Sequence, residues 1–600
     1  MARLRITPAT AGRTITRDQH TVLAPVTPPD AVTPPGCAPP EEVLPGAAPP
    51  IPTRRARLLA RLGRRRRLLV PLVVAVLLLQ MAVAMITTAV EQTPTIDEPV
   101  YVAAAAVYLH EHSLRLNPEH PPLGKLVIAA GVAAAGPHFD RGYDGDQSHV
   151  GRHLLYESGN DPWRLMLWAR LPVIALTLLF GLVVFVFARE LAGVVGGLGA
   201  LTLYAFSPDV VAHGSLATLD VPAAGFVLTS VWLLWRARRR PLLGLPLAGA
   251  ALGAAVATKM NTLAAVPVLL LLAGLSVWRA RRGTAASGAR LSLFARAAAG
   301  AAVAALVAIA VVWAAYLAVD PRLRWTPASG EVPAVHGLRG LLTGLLPFPE
   351  AYRDGMRLQF GLDNAHWEGF LFGRHYAGSL WYYLPAALLV KTPIGALVLW
   401  TAGTAAFLTN RQLRCGAPYL LLPAAVLLVA AMDSRRDFGV RYAVFVPMFG
   451  AVAAVGVLAL RRRWVPVVAA GLLAFVAVSS LRTFPFYLPY ANEAFGGPAK
   501  THERLHDSNV DWGQDLGRLA DRLRHRYAGR HVWLVYKGSG VPSYYGIHAS
   551  DPRRQAERKV RGLLVVSDSS VAKARGRLAR LIHSSHEVDE VGHSITIFRR

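Results

Sequence analysis

Residues 68–90 read LLVPLVVAVLLLQMAVAMITTAV, an uncharged apolar run preceded by the four arginines Arg64 to Arg67. At about 1.5 Å of rise per residue such a run crosses a hydrocarbon core of roughly 30 Å. It predicts a transmembrane helix, and its late start and its length make it an uncleaved signal anchor rather than a cleavable signal peptide.

Working outward, similar runs recur along most of the chain. A hydrophobic fraction of 53% over 600 residues and a mean hydropathy of +0.35 fit a polytopic helical membrane protein better than a soluble globule. About eleven spans are predicted, near 68–90, 166–188, 191–207, 221–235, 242–258, 262–278, 298–318, 380–408, 417–432, 442–460 and 464–482. Counted in alternation, they put Arg64 to Arg67, Arg236 with Arg238 to Arg240, Arg279 with Arg281 and Arg282, and Arg461 to Arg463 on one side. Arginine-rich loops face the cytoplasm, so the loops 91–165 and 319–379, the turn 208–220, the segment 433–441 and everything after about 483 face outward.

The net charge of +27 suggests a nucleic-acid binder only until these clusters are placed beside helix ends; membrane topology accounts for much of the excess, and no nucleic-acid partner is expected. Cys37 and Cys415 offer no disulfide framework. Residues 1–67, rich in Pro, Thr, Ala and Arg, predict a disordered or extended cytoplasmic tail. The region 68–482 is the membrane domain. Residues 483–600 lose the long apolar runs and predict a small extracytoplasmic α/β domain with strands at 531–537, 562–567 and 594–599 and helices at 512–527 and 571–583.

The chemistry-bearing residues fall in the outward segments. Asp97-Glu98 follows the first span directly, where a carboxylate in a partly dehydrated site keeps enough basicity to accept a proton. In Glu119-His120-Pro121-Pro122-Leu123-Gly124-Lys125 the prolines stiffen the chain and start a helix. Its amino terminus, with Lys125, suits a phosphate, although the prolines also serve simply to start an interfacial helix. Asp220 opens the fourth span beside Pro222, as a cap, a site residue or both. Lys259 interrupts an apolar stretch, and Lys391-Thr392-Pro393 marks either a buried lysine or a break in the span 380–408. Arg435, Arg436 and Arg441 crowd a short outward segment, against the positive-inside trend, and a bound lipid phosphate would account for them.

This ordered set, together with Gly439-Val440-Arg441-Tyr442, Tyr490-Ala491-Asn492-Glu493 and Asp507-Ser508-Asn509-Val510-Asp511-Trp512-Gly513-Gln514-Asp515-Leu516, resembles the GT-C membrane glycosyltransferases. The likeness is to the protein O-mannosyltransferase type and its relatives that add aminoarabinose to lipid A, over roughly 68–520. The resemblance implies a GT-C-like fold in the bacterial plasma membrane, amino terminus in the cytoplasm and carboxy terminus outside. It implies transfer of a sugar, mannose being one candidate, from a polyprenyl-phosphate donor to a protein, lipid or glycan acceptor hydroxyl, usually with inversion. Asp97 would be the general base with Glu98 beside it, His120, Lys125 and Arg441 would hold the donor phosphate, and Glu119 and Asp220 would orient substrate. No cofactor is required on this reading; a divalent metal stays open, with Glu119 and Asp220 as weak candidates. A transporter or flippase of lipid-linked sugar is the rival reading, set back by the clustering of polar groups on one face.

Overall fold

A computed structural model describes residues 54–281, 290–327 and 330–600. The predicted tail as far as residue 53, and Arg282, lie outside the described residues. The first helix runs Arg54–Glu91, so the end of the predicted tail is helical instead of extended. Beyond Pro52 the sequence turns to Arg, Leu and Ala, all good helix formers.

Among the described residues six helices are long and apolar enough to cross a membrane: Leu68–Glu91, Pro162–Ala205, Pro241–Thr258, Met260–Arg281, Leu291–Val319 and Val465–Thr483. Shorter apolar helices occupy Pro122–Ala135, Ile394–Thr409, Ala417–Met432 and Phe445–Ala459. The chain is an integral membrane protein. On the first helix Leu68, Leu72, Val76, Leu79 and Val83 all stay more than half exposed, a face that water would penalise and hydrocarbon would not.

Two predicted spans, 166–188 and 191–207, share the helix Pro162–Ala205, which breaks at Ala192 and at Gly193 with φ 73°. The predicted span 380–408 divides at Lys391-Thr392-Pro393 into Tyr383–Lys391 and Ile394–Thr409. Pro393 excludes the helical region for the residue before it, and Thr392 is accordingly extended. Small residues let helices touch: a Cβ on Gly249 or Gly253 would lie 2.5–2.6 Å from the carbonyl oxygens of Ala304 and Ala308 on the helix Arg290–Val319.

The segment between the seventh and eighth predicted spans folds into helices Gly337–Leu345 and Glu350–Asp363 and a hairpin, β1 (Glu368–Leu371) with β2 (Arg374–Ala377). After Thr483 a run of short turns leads to a five-stranded sheet. Its strands are β3 (Val532–Val535), β4 (Ala549–Ser550), β5 (Leu563–Ser567), β6 (His586–Val591) and β7 (Ile595–Arg599), in the order β4-β3-β5-β7-β6. β3 runs parallel to β4 and β5, whereas β7 is antiparallel to β5 and β6.

Alternate residues of β3 and β5 face opposite layers. Val532, Leu534, Leu563 and Val565 pack with Leu516, Leu519 and Leu523 of the helix Leu516–Arg526; Trp533, Val535, Leu564 and Val566 pack with Leu578 and Leu581 of the helix Gly576–His583. Every residue of β3 and β5 is buried, as expected of central strands covered on both sides. The predicted helix 571–583 is instead two, Asp568–Ala572 and Gly576–His583. Edge strand β6 is not apparent from the sequence because His586-Glu587-Val588-Asp589-Glu590-Val591 is mostly polar and half of it is acidic, which is how an edge resists pairing with another chain.

Candidate active site

A cavity of about 480 Å³ opens between the first polar loop and the segment 433–445, lined by Asp97, Tyr101, Glu119, His120, Lys259, Arg436 and Arg441 among others. Residues from four separated stretches of sequence therefore share one space.

Asp97 is the residue that precedes the helix Glu98–Glu111, but its side chain makes no capping hydrogen bond; Pro99 starts the helix without it. The carboxylate turns to Arg441 instead, Oδ2 accepting from Nη1 at 2.5 Å. Asp97 keeps 27% of its side-chain surface exposed and Arg441 9%, so the pair stands at the cavity wall. The guanidinium lies 4.4 Å from the Trp512 ring centre and 5.1 Å from that of Tyr442. Its Nε has no hydrogen-bond partner among the described residues.

Glu98 lies off the cavity and is fully buried against Arg170. Its Oε1 accepts from Arg170 Nε and the Ala217 N–H, and Oε2 from Arg170 Nη2, the Thr95 N–H and the Thr95 hydroxyl. The remaining Arg170 N–H groups go to the carbonyls of Ala89, Gln92 and Thr93. Burial alone would push the Glu98 carboxyl up, but the Arg170 charge and these hydrogen bonds outweigh it and hold the carboxyl below its ordinary range. It is a knot joining the first helix, the helix Pro162–Ala205 and the turn at Ala217. The sequence reading missed Arg170, although a lone arginine in an apolar helix calls for a partner.

His120 lines the cavity, with Nδ1 buried and without a partner among the described residues. Burial, then the charges of Lys259, Lys125, Arg436 and Arg441, push its imidazole well below the usual histidine range, so it stands neutral. Lys125 does not reach the cavity. Its ammonium is fully buried and donates to the carbonyls of Asn117 and His120 at 2.6 and 2.8 Å, bracing the loop that presents His120.

Glu119 lines the cavity and accepts from Gln147 Nε2 at 2.9 Å. Asp220, at the start of the helix Asp220–Ala237, accepts from Lys259 Nζ at 2.5 Å, and Lys259 in turn lies 5.1 Å from the Tyr442 ring centre. Glu119 and Asp220 are thus tied to different partners. Among the described residues no group of three His, Cys, Asp or Glu side chains is gathered as a metal site would need. Arg436 adds a further cation to the wall, held by Gln359 at 2.6 Å and by Asp363 at 3.1 Å. Lys391 is buried and donates to the carbonyls of Leu488 and Asn509, fixing the break in its helix.

Apolar helices thus bring ionisable groups from distant segments together at one cavity. Residues 74–321 match the family model described as dolichyl-phosphate-mannose-protein mannosyltransferase. The matched stretch includes Asp97, Glu119, His120, Lys125 and Asp220 and ends before Arg441. No curated protein matches the chain. Similar solved structures include ArnT from Cupriavidus metallidurans in the apo state, at 16% identity over 88% of this chain and 97% of that one, with a TM-score of 0.44. The same protein bound to undecaprenyl phosphate matches at 15% identity, with equal coverage and TM-score. The S. cerevisiae protein O-mannosyltransferase Pmt1-Pmt2 complex bound to the sugar donor matches at 20% identity over 43% of this chain and 35% of that one, with a TM-score of 0.35.

Proposed function

We propose that this enzyme transfers a sugar from a polyprenyl-phosphate donor to an acceptor hydroxyl on the extracytoplasmic face of the membrane, with Asp97 as the general base. The observation that carries this reading is the cavity itself, in which one carboxylate not used for capping faces Arg441, Lys259, Arg436 and a neutral His120.

The donor's phosphate and the Asp97 carboxylate compete for the same guanidinium. When the phosphate arrives it takes N–H groups of Arg441, and the freed Asp97 is left beside the anomeric carbon. The acceptor oxygen attacks that carbon as its O–H proton passes to Asp97, and the bond from carbon to the phosphate oxygen breaks with its electron pair leaving on the phosphate. The products are the glycoside, a polyprenyl phosphate held by cations, and a proton on Asp97 that departs to solvent. His120, with an N–H to donate, joins Arg441 on the phosphate; Glu119 orients the sugar, and Asp220 acts by holding Lys259. Lys125 and Glu98 act by shaping the site, and a divalent ion is not needed for any of these steps.

The test is Asp97→Asn in membranes supplied with labelled polyprenyl-phosphate sugars. The expected result is normal insertion with transfer reduced by about 10²- to 10⁴-fold, the usual worth of a positioned base. Transfer at the wild-type rate would remove Asp97 from that role.

A further inference from the structure

Asp97 and Arg441 lie more than three hundred residues apart, and one short segment bonds to the backbone just before each. Residues 507–515 lead from the membrane region into the sheet domain. On one flank the segment pairs with the stretch that ends at Asp97: the N–H groups of Thr93 and Ile96 donate to the carbonyls of Gln514 and Trp512 at 2.9 and 3.0 Å. The Thr93 hydroxyl donates to the Gly513 carbonyl and accepts from the Leu516 N–H.

On the other flank it grips the turn that carries Arg441. Asn509 Oδ1 accepts from the Val440 N–H at 3.0 Å, and the Ser508 hydroxyl donates to the Phe438 carbonyl at 2.6 Å. Gly439 sits at φ 146°, and a Cβ there would lie 2.3 Å from the Ser508 hydroxyl, so the approach requires glycine. Trp512, 1% exposed, presents its ring to the Arg441 guanidinium. The sheet domain holds the segment from behind. Lys537 pairs with Asp507, the Ser569 hydroxyl donates to the Asp511 carbonyl, and the Tyr536 hydroxyl donates to the Gly513 carbonyl.

We infer that Trp512 and Asn509 are positioning residues that set Asp97 and Arg441 in register, so that the carboxy-terminal domain completes the membrane-embedded site. The inference rests on the glycosyltransfer reading above. A ring face that holds the guanidinium without using its N–H groups leaves them free for a phosphate, whereas the backbone pairing at 93–96 fixes only the base.

The two flanks separate in kinetics of the full chain in lipid nanodiscs, measured against donor concentration. Trp512→Leu is expected to raise the donor KM about tenfold, and Trp512→Phe, which keeps a ring face, to stay within about threefold of wild type. Combined with Arg441→Lys, Trp512→Leu is expected to add little, because both act through one guanidinium. Thr93→Val, isosteric and unable to bond Gly513, is expected to lower kcat about tenfold with the donor KM unchanged; it also serves if Trp512→Leu fails to accumulate. Wild-type kinetics in either Trp512→Leu or Thr93→Val, or additive losses with Arg441→Lys, would overturn the positioning role while leaving the proposed function standing. A wild-type protein that transfers no sugar from any polyprenyl-phosphate donor would overturn both.

Discussion

The cavity pair Asp97–Arg441 and the buried pair Glu98–Arg170 begin at adjacent residues, and each joins a carboxylate to a guanidinium from a distant element at 2.5–2.7 Å. They differ in what else is satisfied. Glu98 and Arg170 use both carboxylate oxygens and every guanidinium nitrogen on fixed partners with no exposure. Arg441 keeps an Nε without a partner among the described residues, and Asp97 faces a cavity. A pair with all its bonds made is structure; a pair with bonds to spare beside a cavity can exchange a partner for a ligand.

The largest way to break this contrast is to neutralise each carboxylate in turn. Asp97→Asn is expected to lose turnover and keep its thermal stability. Glu98→Gln, which leaves the Arg170 charge buried without its counter-ion, is expected to cost about 3–5 kcal/mol of stability, read as loss of folded protein during thermal challenge of the purified chain. The surviving folded fraction should bind donor normally. A Glu98→Gln protein as stable as wild type but catalytically dead would exchange the two roles.

A smaller effect separates the arginines. Lysine keeps the charge at either place but loses the flat, forked set of donors. Arg441→Lys is expected to raise the donor KM roughly 10- to 100-fold, from one or two lost charged hydrogen bonds of about 1.5–3 kcal/mol, with little change in melting. Arg170→Lys should show the reverse, a lower melting temperature with the donor KM of the folded fraction unchanged. A donor KM untouched in Arg441→Lys would detach this arginine from the phosphate.

Much of this arrangement was legible in the sequence because membrane helices announce themselves by uninterrupted apolar length, and a polar group beside such a run stands out. Asp97, His120, Lys259 and Arg441 stand out on that ground, and they meet in one cavity. Direction was not legible. Whether Lys125 points to a ligand or to the carbonyls of its own loop depends on χ angles and on the path of that loop, which no spacing rule encodes. The same holds for Glu98 against Asp97: adjacent residues at a helix start point in different directions, and only the location of Arg170 decides which is locked. The role of 507–515 depends on backbone pairing across some four hundred residues, and β6 lacked an apolar alternation to reveal it.

The same contrast recurs, weaker, inside the 507–515 segment. Asp507 is paired with Lys537; burial would raise its carboxyl, but the lysine's charge holds it far below the ordinary range. Among the described residues Asp511 accepts only from the N–H groups of Gly513 and Ser569, and burial pushes it up to about 7, Lys537 opposing and Asp568 adding to the shift. The folded chain therefore retains a proton on Asp511 that the unfolded chain releases near its ordinary carboxylate pKa. Through this group stability falls as pH rises from about 4 to about 7. Asp511→Asn removes the proton exchange, so its stability relative to wild type should improve across that window, by up to about 1.4 kcal/mol per pH unit, and level off above it. Hydrogen exchange of β3 and β5 amides, compared between the two proteins at each pH from 5 to 8, measures the gap. A gap that stays constant over that range would show Asp511 ionised throughout, stabilised as Asp507 is and not left to burial.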